Sequence, residues 1–352
     1  NNTKIAKKNE RFKNFKTLSA QEKLFDKTIE PSQNLEISLR PVKKNLVWLN
    51  KNYNNLNNLD NFSYKNQNKI IFKSKKLSSG TINENILFDG DKVIATNDKG
   101  DIIVYSISNK NITLKYNFYK KKFKNIKKKL NLTIDNNILY INDNLGYIYA
   151  LDYNEKKILW AKDFKIPFRS NLKVFSKKIV TSDTNNVLYL INKLNGERLR
   201  SIPTEENPLK NNFSNSLALS NQLLFFLNTY GSIYSTNYDG DIRWFLNVNR
   251  SSSLKTNIFN SNPIIIHNDK IVISTDSNLN IMNTINGRLI KKVAINSIVQ
   301  PITSGKNLFL ITDKNLLVCI DLNLGDIIYS VDINSQIANF LQTKKKSIET
   351  KT

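Results

Sequence analysis

Six stretches of this chain repeat one another, and a repeat of this kind leaves few folds open. "GYIYALDYNEKKILW" begins at Gly146 and aligns with "GDIIVYSISNKNITL" from Gly100, "NVLYLINKLNGERLR" from Asn186 and "GSIYSTNYDGDIRWF" from Gly231. "SNLNIMNTINGRLIK" from Ser277 and "NLLVCIDLNLGDIIY" from Asn315 complete the set. The starts are spaced by 46, 40, 45, 46 and 38 residues. Alternation of apolar and polar positions predicts strands throughout, and a strand-rich period of about 40–45 residues marks a propeller or a related repeat array.

The internal register is tighter than the period. Six residues into each copy stands a small polar residue: Ser106, Asp152, Asn192, Asn237, Asn283 and Asp321. Gly196, Gly287 and Gly325 follow four residues later, where a hairpin turn needs positive φ, and Gly240 follows at three. Trp160, Trp244 and Tyr329 then occupy the end of the returning strand. Upstream of the anchors lie further paired apolar runs, such as "NLKVFSKKIVTSD" and "NPIIIHNDKIVISTD". Each unit therefore reads as four short antiparallel strands. A blade of that kind is apolar on both faces, so it buries them by packing radially against its neighbours. The expected fold is an all-β propeller with six clear repeats. Seven or eight blades, or a ring left open at the C-terminal end, stay open as alternatives. Trp160, Trp244 and Tyr329 are expected to wedge between neighbouring blades.

Composition constrains partners more than fold. The chain of 352 residues carries 53 Lys and Arg against 29 Asp and Glu, a net charge of +24. Such a charge draws a protein toward anionic lipid, nucleic acid or acidic proteins. Lys, Asn and Ile are abundant everywhere, however, as an AT-rich genome produces. No run of about 18 apolar residues is present, so no spanning helix is expected. The first residue is Asn1, and a processed form that has lost a signal peptide and an anchoring cysteine is expected. The single cysteine, Cys319, allows no intramolecular disulfide.

Outside the repeats the signal is weaker. Residues 1–44 read as a polar, partly disordered extension, with a capping-box pattern at Ser19 and Glu22. "NLVWLNK" (45–51) and "KIIFKSKKL" (69–77) read as extra strands that close or cap the ring. The propeller is placed at 45–335, and 336–352 reads as a polar C-terminal tail.

Residues 146–160 match the pattern Gly-x-Leu-Tyr-Ala-Leu-Asp-x-x-x-Gly-Lys-x-x-Trp, with Ala150, Leu151, Asp152 and Trp160 in place. This resembles the repeat of the PQQ-like, or quinoprotein-type, β-propellers, and within them the BamB family of outer-membrane assembly factors. The resemblance runs from about residue 17 to 335 and includes Trp48 and the segment "KIPFRSN". It implies a non-enzymatic scaffold in the periplasm, attached to the outer membrane by an N-terminal lipid anchor. The implied partners are the POTRA domains of BamA, with unfolded outer-membrane proteins as possible clients. By the same resemblance Ile166, Phe168 and Arg169 form a partner-binding loop. A second family contact, an acidic pair, falls at the uncharged Asn212 and Ser214. The family it resembles usually has eight blades, and the six clear units counted here depart from that number.

Chemistry is poorly provided for. Dehydrogenases of related repeat type hold a quinone against a vicinal disulfide and a calcium ion, and one cysteine forbids the first. His267, the only histidine, stands at a strand-to-turn step, where a solvated side chain is expected, and no GxSxG elbow surrounds a serine. One Cys and one His leave only carboxylates for a metal, and no calcium-loop spacing occurs. No cofactor is expected. Asp98, Asp152 and Asp321 fit as turn-capping residues. The run "YKKKFKNIKKKL" (119–130) reads first as a solvated loop between the first two blades. A basic propeller that binds polyanions, either an anionic lipid surface or nucleic acid, is the alternative function, although no established nucleic-acid module is present. In "IPFRS", Ile166 and Phe168 are expected on one exposed face ending at Arg169, a composition suited to an interface.

Overall fold

The computed structural model describes residues 23–64, 70, 72–119, 121–206, 213–220, 222–249, 259–335 and 337. Six antiparallel sheets follow one another along the chain, each a meander in which sequence neighbours pair. The first contains β1 (Val47–Trp48), β2 (Leu87–Asp89), β3 (Lys92–Thr96), β4 (Asp101–Ser106) and β5 (Asn111–Asn117). The second contains β6 (Leu130–Asp135), β7 (Ile138–Asp143), β8 (Tyr147–Asp152) and β9 (Lys157–Asp163), and the third β10 (Lys173–Phe175), β11 (Lys178–Ser182), β12 (Leu188–Asn192) and β13 (Arg198–Ile202). The fourth contains β14 (Ser216–Leu219), β15 (Leu223–Leu227), β16 (Ser232–Asn237) and β17 (Ile242–Asn247). The fifth contains β18 (Ile265–His267), β19 (Lys270–Ser274), β20 (Leu279–Asn283) and β21 (Leu289–Val293), and the sixth β22 (Ile302–Ser304), β23 (Asn307–Ile311), β24 (Leu316–Asp321) and β25 (Ile327–Asp332). These are the six blades that the repeat predicts, and the described residues form no seventh or eighth.

Period-two alternation sends each strand's side chains to two different neighbours. In the second blade Leu139, Ile141, Tyr149 and Leu151 pack toward the first, whereas Tyr140, Ile148 and Ala150 pack toward the third. Apolar clusters of this kind lie between blades one and two, two and three, three and four, four and five, and five and six. Among the described residues no such cluster joins the sixth blade to the first.

The repeated polar position works as expected. The side-chain oxygens of Asp152, Asn192, Asn237, Asn283 and Asp321 accept backbone N–H groups two to four residues ahead, and Ser106 Oγ accepts that of Asn109. These Asx-type turns reverse the chain without help from other elements. The third- and fourth-strand ladder of every blade carries a one-residue register shift beside the turn. The shift aims the returning strand's large residue at the next blade. Trp160 of the second blade donates from Nε1 to Lys193 O at 2.9 Å, and Trp244 of the fourth donates to Thr284 O at 3.0 Å. Their rings lie over Gly196 and Gly287 of the following blades, at φ +73° and +69°. Tyr329 instead sits beside Cys319 in its own ladder, and no glycine of the first blade lies against it. The corresponding first-blade residue is Lys110, held at φ 53°.

One segment outside the repeats differs from expectation. Val47–Trp48 does form a strand, added as a fifth member to the first blade beside β2. Residues 72–77 form none, because β1 already occupies that blade's inner edge; Phe72 instead packs on Tyr105. Residues 23–44 are joined to the ring. Ile29 exchanges two backbone hydrogen bonds with Ser330 on the outermost strand of the sixth blade, and Arg40 N donates to Ser304 Oγ. The capping-box residues Ser19 and Glu22, and the C-terminal tail apart from Ile337, lie outside the described residues.

The axis of the ring is filled by the chain itself. Strands β2, β6, β10, β14 and β18 approach one another in turn, and residues 49–58 run along the blades there. Leu49 O accepts Ile134 N of the second blade, and Asn55 Nδ2 donates to Val174 O of the third. Asn57 Nδ2 bridges Leu217 O of the fourth blade and Ile264 O at the start of the fifth, at 2.9 and 2.8 Å. Asn58 exchanges two hydrogen bonds with Thr303 of the sixth. Asparagine carries both donor and acceptor, so it satisfies the strand edges that a propeller leaves facing its axis.

Candidate docking site

Each loop leaving a blade lies at the same end of the ring as the turn between the second and third strands. In the second blade that turn is Asp143–Gly146. Asp143 Oδ1 accepts the N–H groups of Leu145 and Tyr147, and its Oδ2 accepts the phenol of Tyr119 at 2.6 Å. The outgoing loop, residues 163–170, is fastened to it: Phe164 N donates to Gly146 O and Phe168 N to Asp143 O. Gly146 has φ +95°, and a Cβ there would stand 3.0 Å from the backbone N and O of Ile166. On its other side the loop is held by the third blade, where Arg169 N donates to Ser182 O and Thr184 N to Pro167 O.

Phe168, expected to share an exposed face with Ile166, is buried at 5% exposure. It packs against Phe164 and Tyr189, with ring centroids 5.3 and 6.3 Å away, and forms a β-bridge to Asp183. That bridge turns the chain inward, so a simple strand alternation does not continue through Pro167. Ile166 and Arg169 stay half-exposed, and Lys165 beside them pairs with Asp163 at 2.6 Å. Partial burial pulls the Arg169 guanidinium down from its ordinary pKa, while nearby Asp183 opposes the shift. Arg198 lies over the rings of Phe164 and Tyr189 at 4.8 and 5.2 Å and stiffens the platform beneath. Ser214 Oγ donates to Arg169 O at 2.7 Å, which joins the next interblade loop to this one. No sequence signal marks that link. Asn212, the other position in the second family contact, lies outside the described residues.

The remaining candidates take structural positions. His267 is not solvated. At 3% exposure it donates from Nε2 to Gly305 O and accepts Arg40 Nη2 at Nδ1, and burial lowers its pKa. Cys319 is buried, its thiol pushed up to about 11. Among the described residues no group of three His, Cys, Asp or Glu side chains is placed to hold a metal. No described helix is long and apolar enough to cross a membrane. A cleft of about 950 Å³ opens between the fourth and fifth blades near Leu56, Leu223, Arg243 and Ile285, without converging titratable groups.

The buried charge that sequence reasoning missed is Lys173. Its Nζ, in a side chain 1% exposed, donates to Asn54 O and Asn57 Oδ1 at 2.6 Å and to Asn50 Oδ1 at 3.2 Å. Burial pushes its pKa down to about 7. It stands on β10 and ties the third blade to the axial segment.

No curated protein matches the chain in sequence. The family model for outer membrane protein assembly factor BamB matches residues 125–331, more than half of the chain. The chain belongs to the BamB family. BamB from Moraxella catarrhalis is similar in structure, with a TM-score of 0.60 at 13% identity over 73% of this chain and 78% of that one. A europium-containing methanol dehydrogenase superposes with a TM-score of 0.62 at 12% identity, over 81% of this chain and 78% of that one. At these identities the structural likenesses establish the BamB-type propeller fold alone, a fold that also occurs in enzymes.

Proposed function

We propose that this chain is a non-enzymatic scaffold of outer-membrane β-barrel assembly, acting in the periplasm at the outer membrane and binding the POTRA domains of a BamA. Family membership supports the setting, and the rigid loop 163–170 supports the mode of action. A loop bolted to two blades presents Ile166 and Arg169 with little ordering left to do on binding, which is the economy that an interface hot spot needs. Phe168 contributes from beneath by holding the loop's shape. The outer strands add a second capacity. Leu199, Phe245 and Leu289 project into solvent from β13, β17 and β21, whose outer edges suit β-augmentation by extended client segments. The pairing of Ile29 with Ser330 is an intramolecular instance of that contact.

The test is binding of the full chain to the periplasmic domains of its own organism's BamA at moderate salt. Arg169→Glu and, separately, Ile166→Asp are expected to weaken binding about tenfold or more while thermal unfolding stays cooperative. Wild-type chain that does not bind at all defeats the reading.

A further inference from the structure

We propose that the loop between the first and second blades is a docking surface for an anionic lipid bilayer. Between Asp101 and Asp135 the chain contains no carboxylate, and residues 119–130 contain seven lysines. The structure divides the lysines it describes there into two roles. Lys128 is buried, donates from Nζ to Phe123 O and lies 5.5 Å from the Tyr119 ring centroid. It is the pin of the loop. Lys121, Lys124, Lys127 and Lys129 are exposed and form no ion pair among the described residues, and Lys99 of the adjacent turn joins them. The backbone that carries them is fixed: a single 3-10 turn spans Lys121–Phe123, Lys128 N donates to Asp98 O, and Asn144 holds both Lys127 O and Lys129 N. At the crown of the loop Ile126 is 45% exposed.

The aromatic residues decide which polyanion fits. A single-strand binder displays rings on which bases stack. Here Tyr119 turns inward to Asp143, Phe118 stacks on Tyr149 at 4.4 Å, and Phe123 packs edge-on to Tyr147. What remains outside is a set of ammonium groups around one aliphatic tip. Ammonium groups suit a diffuse layer of phosphate headgroups, and an aliphatic tip suits the boundary of the acyl chains. Arginine, which reads phosphate bidentately, is absent from the loop. The loop also shares the Asp143–Gly146 turn with residues 163–170, so a bound bilayer would lie beside the candidate docking loop.

Co-sedimentation of the full chain with vesicles tests the proposal. Vesicles of phosphatidylcholine mixed with phosphatidylglycerol in equal parts should bind the chain, pure phosphatidylcholine should not, and salt should weaken the binding. Each lysine removed from an anionic surface lowers affinity about fivefold, so Lys121→Glu, Lys124→Glu and Lys127→Glu together should lower it about a hundredfold or more. Lys157→Glu, Lys177→Glu and Lys306→Glu, exposed lysines outside this loop end, change the net charge equally and should leave affinity within about fivefold. Ile126→Ser should weaken vesicle binding several-fold without altering that salt dependence. Equal losses in the two triple variants would assign the attraction to total charge and overturn the proposal. So would a wild-type chain that ignores the anionic vesicles, or one that binds single-stranded DNA more tightly through the same lysines.

Discussion

Lys173 is a cation placed where no carboxylate balances it, and its cost should appear as a pH dependence. Its ordinary pKa is 10.5, and burial pushes it down to about 7 in the folded chain. Between those values the unfolded chain binds the extra proton, so stability rises with pH through that window by at most about 1 kcal/mol per pH unit. Below it both states are protonated and the contribution is flat. Denaturant unfolding from about pH 7 to 9 should therefore show wild type gaining stability, and Lys173→Met lacking that gain. The variant should also be less stable throughout, because the acceptors on Asn50, Asn54 and Asn57 lose their donor. Nothing in "NLKVFSKKIV" distinguishes Lys173 from the exposed Lys177. The difference is made by residues 116 and 123 positions away, and a local pattern carries no such information. The same holds for the asparagines of residues 50–58, which read as compositional drift and serve as hydrogen-bond donors and acceptors to the third, fourth, fifth and sixth blades. It holds again for Phe168, whose burial follows from a bridge to Asp183 that strand alternation does not foresee.

Elements were easier to read than single residues because the turn chemistry is local. An Asx or Ser residue followed by a left-handed position specifies a hairpin without reference to anything distant, and six copies of it, five with Asx and one with Ser106, fix six blades. The left-handed position itself was legible only where it is glycine; Lys110 and Lys156 occupy it at φ 53° and 58°. Glycine is needed where the preceding blade presses on the turn. Gly196→Ala would place a Cβ 2.5 Å from Trp160 Cε3 as well as straining the backbone. Gly90 has φ +61° and nothing within 4 Å of its Cβ position, so Gly90→Ala meets the backbone term alone. Urea unfolding should give a loss of about 1 kcal/mol at Gly90 and about 3 kcal/mol at Gly196, where overpacking adds to strain. Equal losses would mean that Trp160 yields freely and is no wedge. The misread element, of which residues 70 and 72–77 are described, has strand composition but forms no strand, since the place beside β2 is taken by β1 and pairing partners are a property of the assembled sheet.

Over the whole molecule, apolar packing joins the blades in a line of five seams, and the described residues supply no sixth. The middle blades are thus gripped on both faces, the first and last on one. Native-state hydrogen exchange should rank them accordingly, with amides of β15, β16, β11 and β12 protected most and those of β23 and β3 released at lower opening free energy. The segment at the axis partly offsets this gradient, because Asn57 and Asn58 bind the fourth, fifth and sixth blades at once. Asn57→Ala should therefore lower the protection of β14 and β18 together, a pattern that damage to a single blade would not produce. The axial segment also imposes an order in time. Residues 49–58 leave the ribosome ahead of the blade strands that they bind, their partners extend to Thr303, and Ile29 waits for Ser330. Blades can form one by one as they emerge and take up Leu49 to Asn57 in turn, but Asn58 and Ile29 stay without these partners until the sixth blade is made. The last of these contacts close only when the sixth blade reaches residues made 245 and 301 positions earlier.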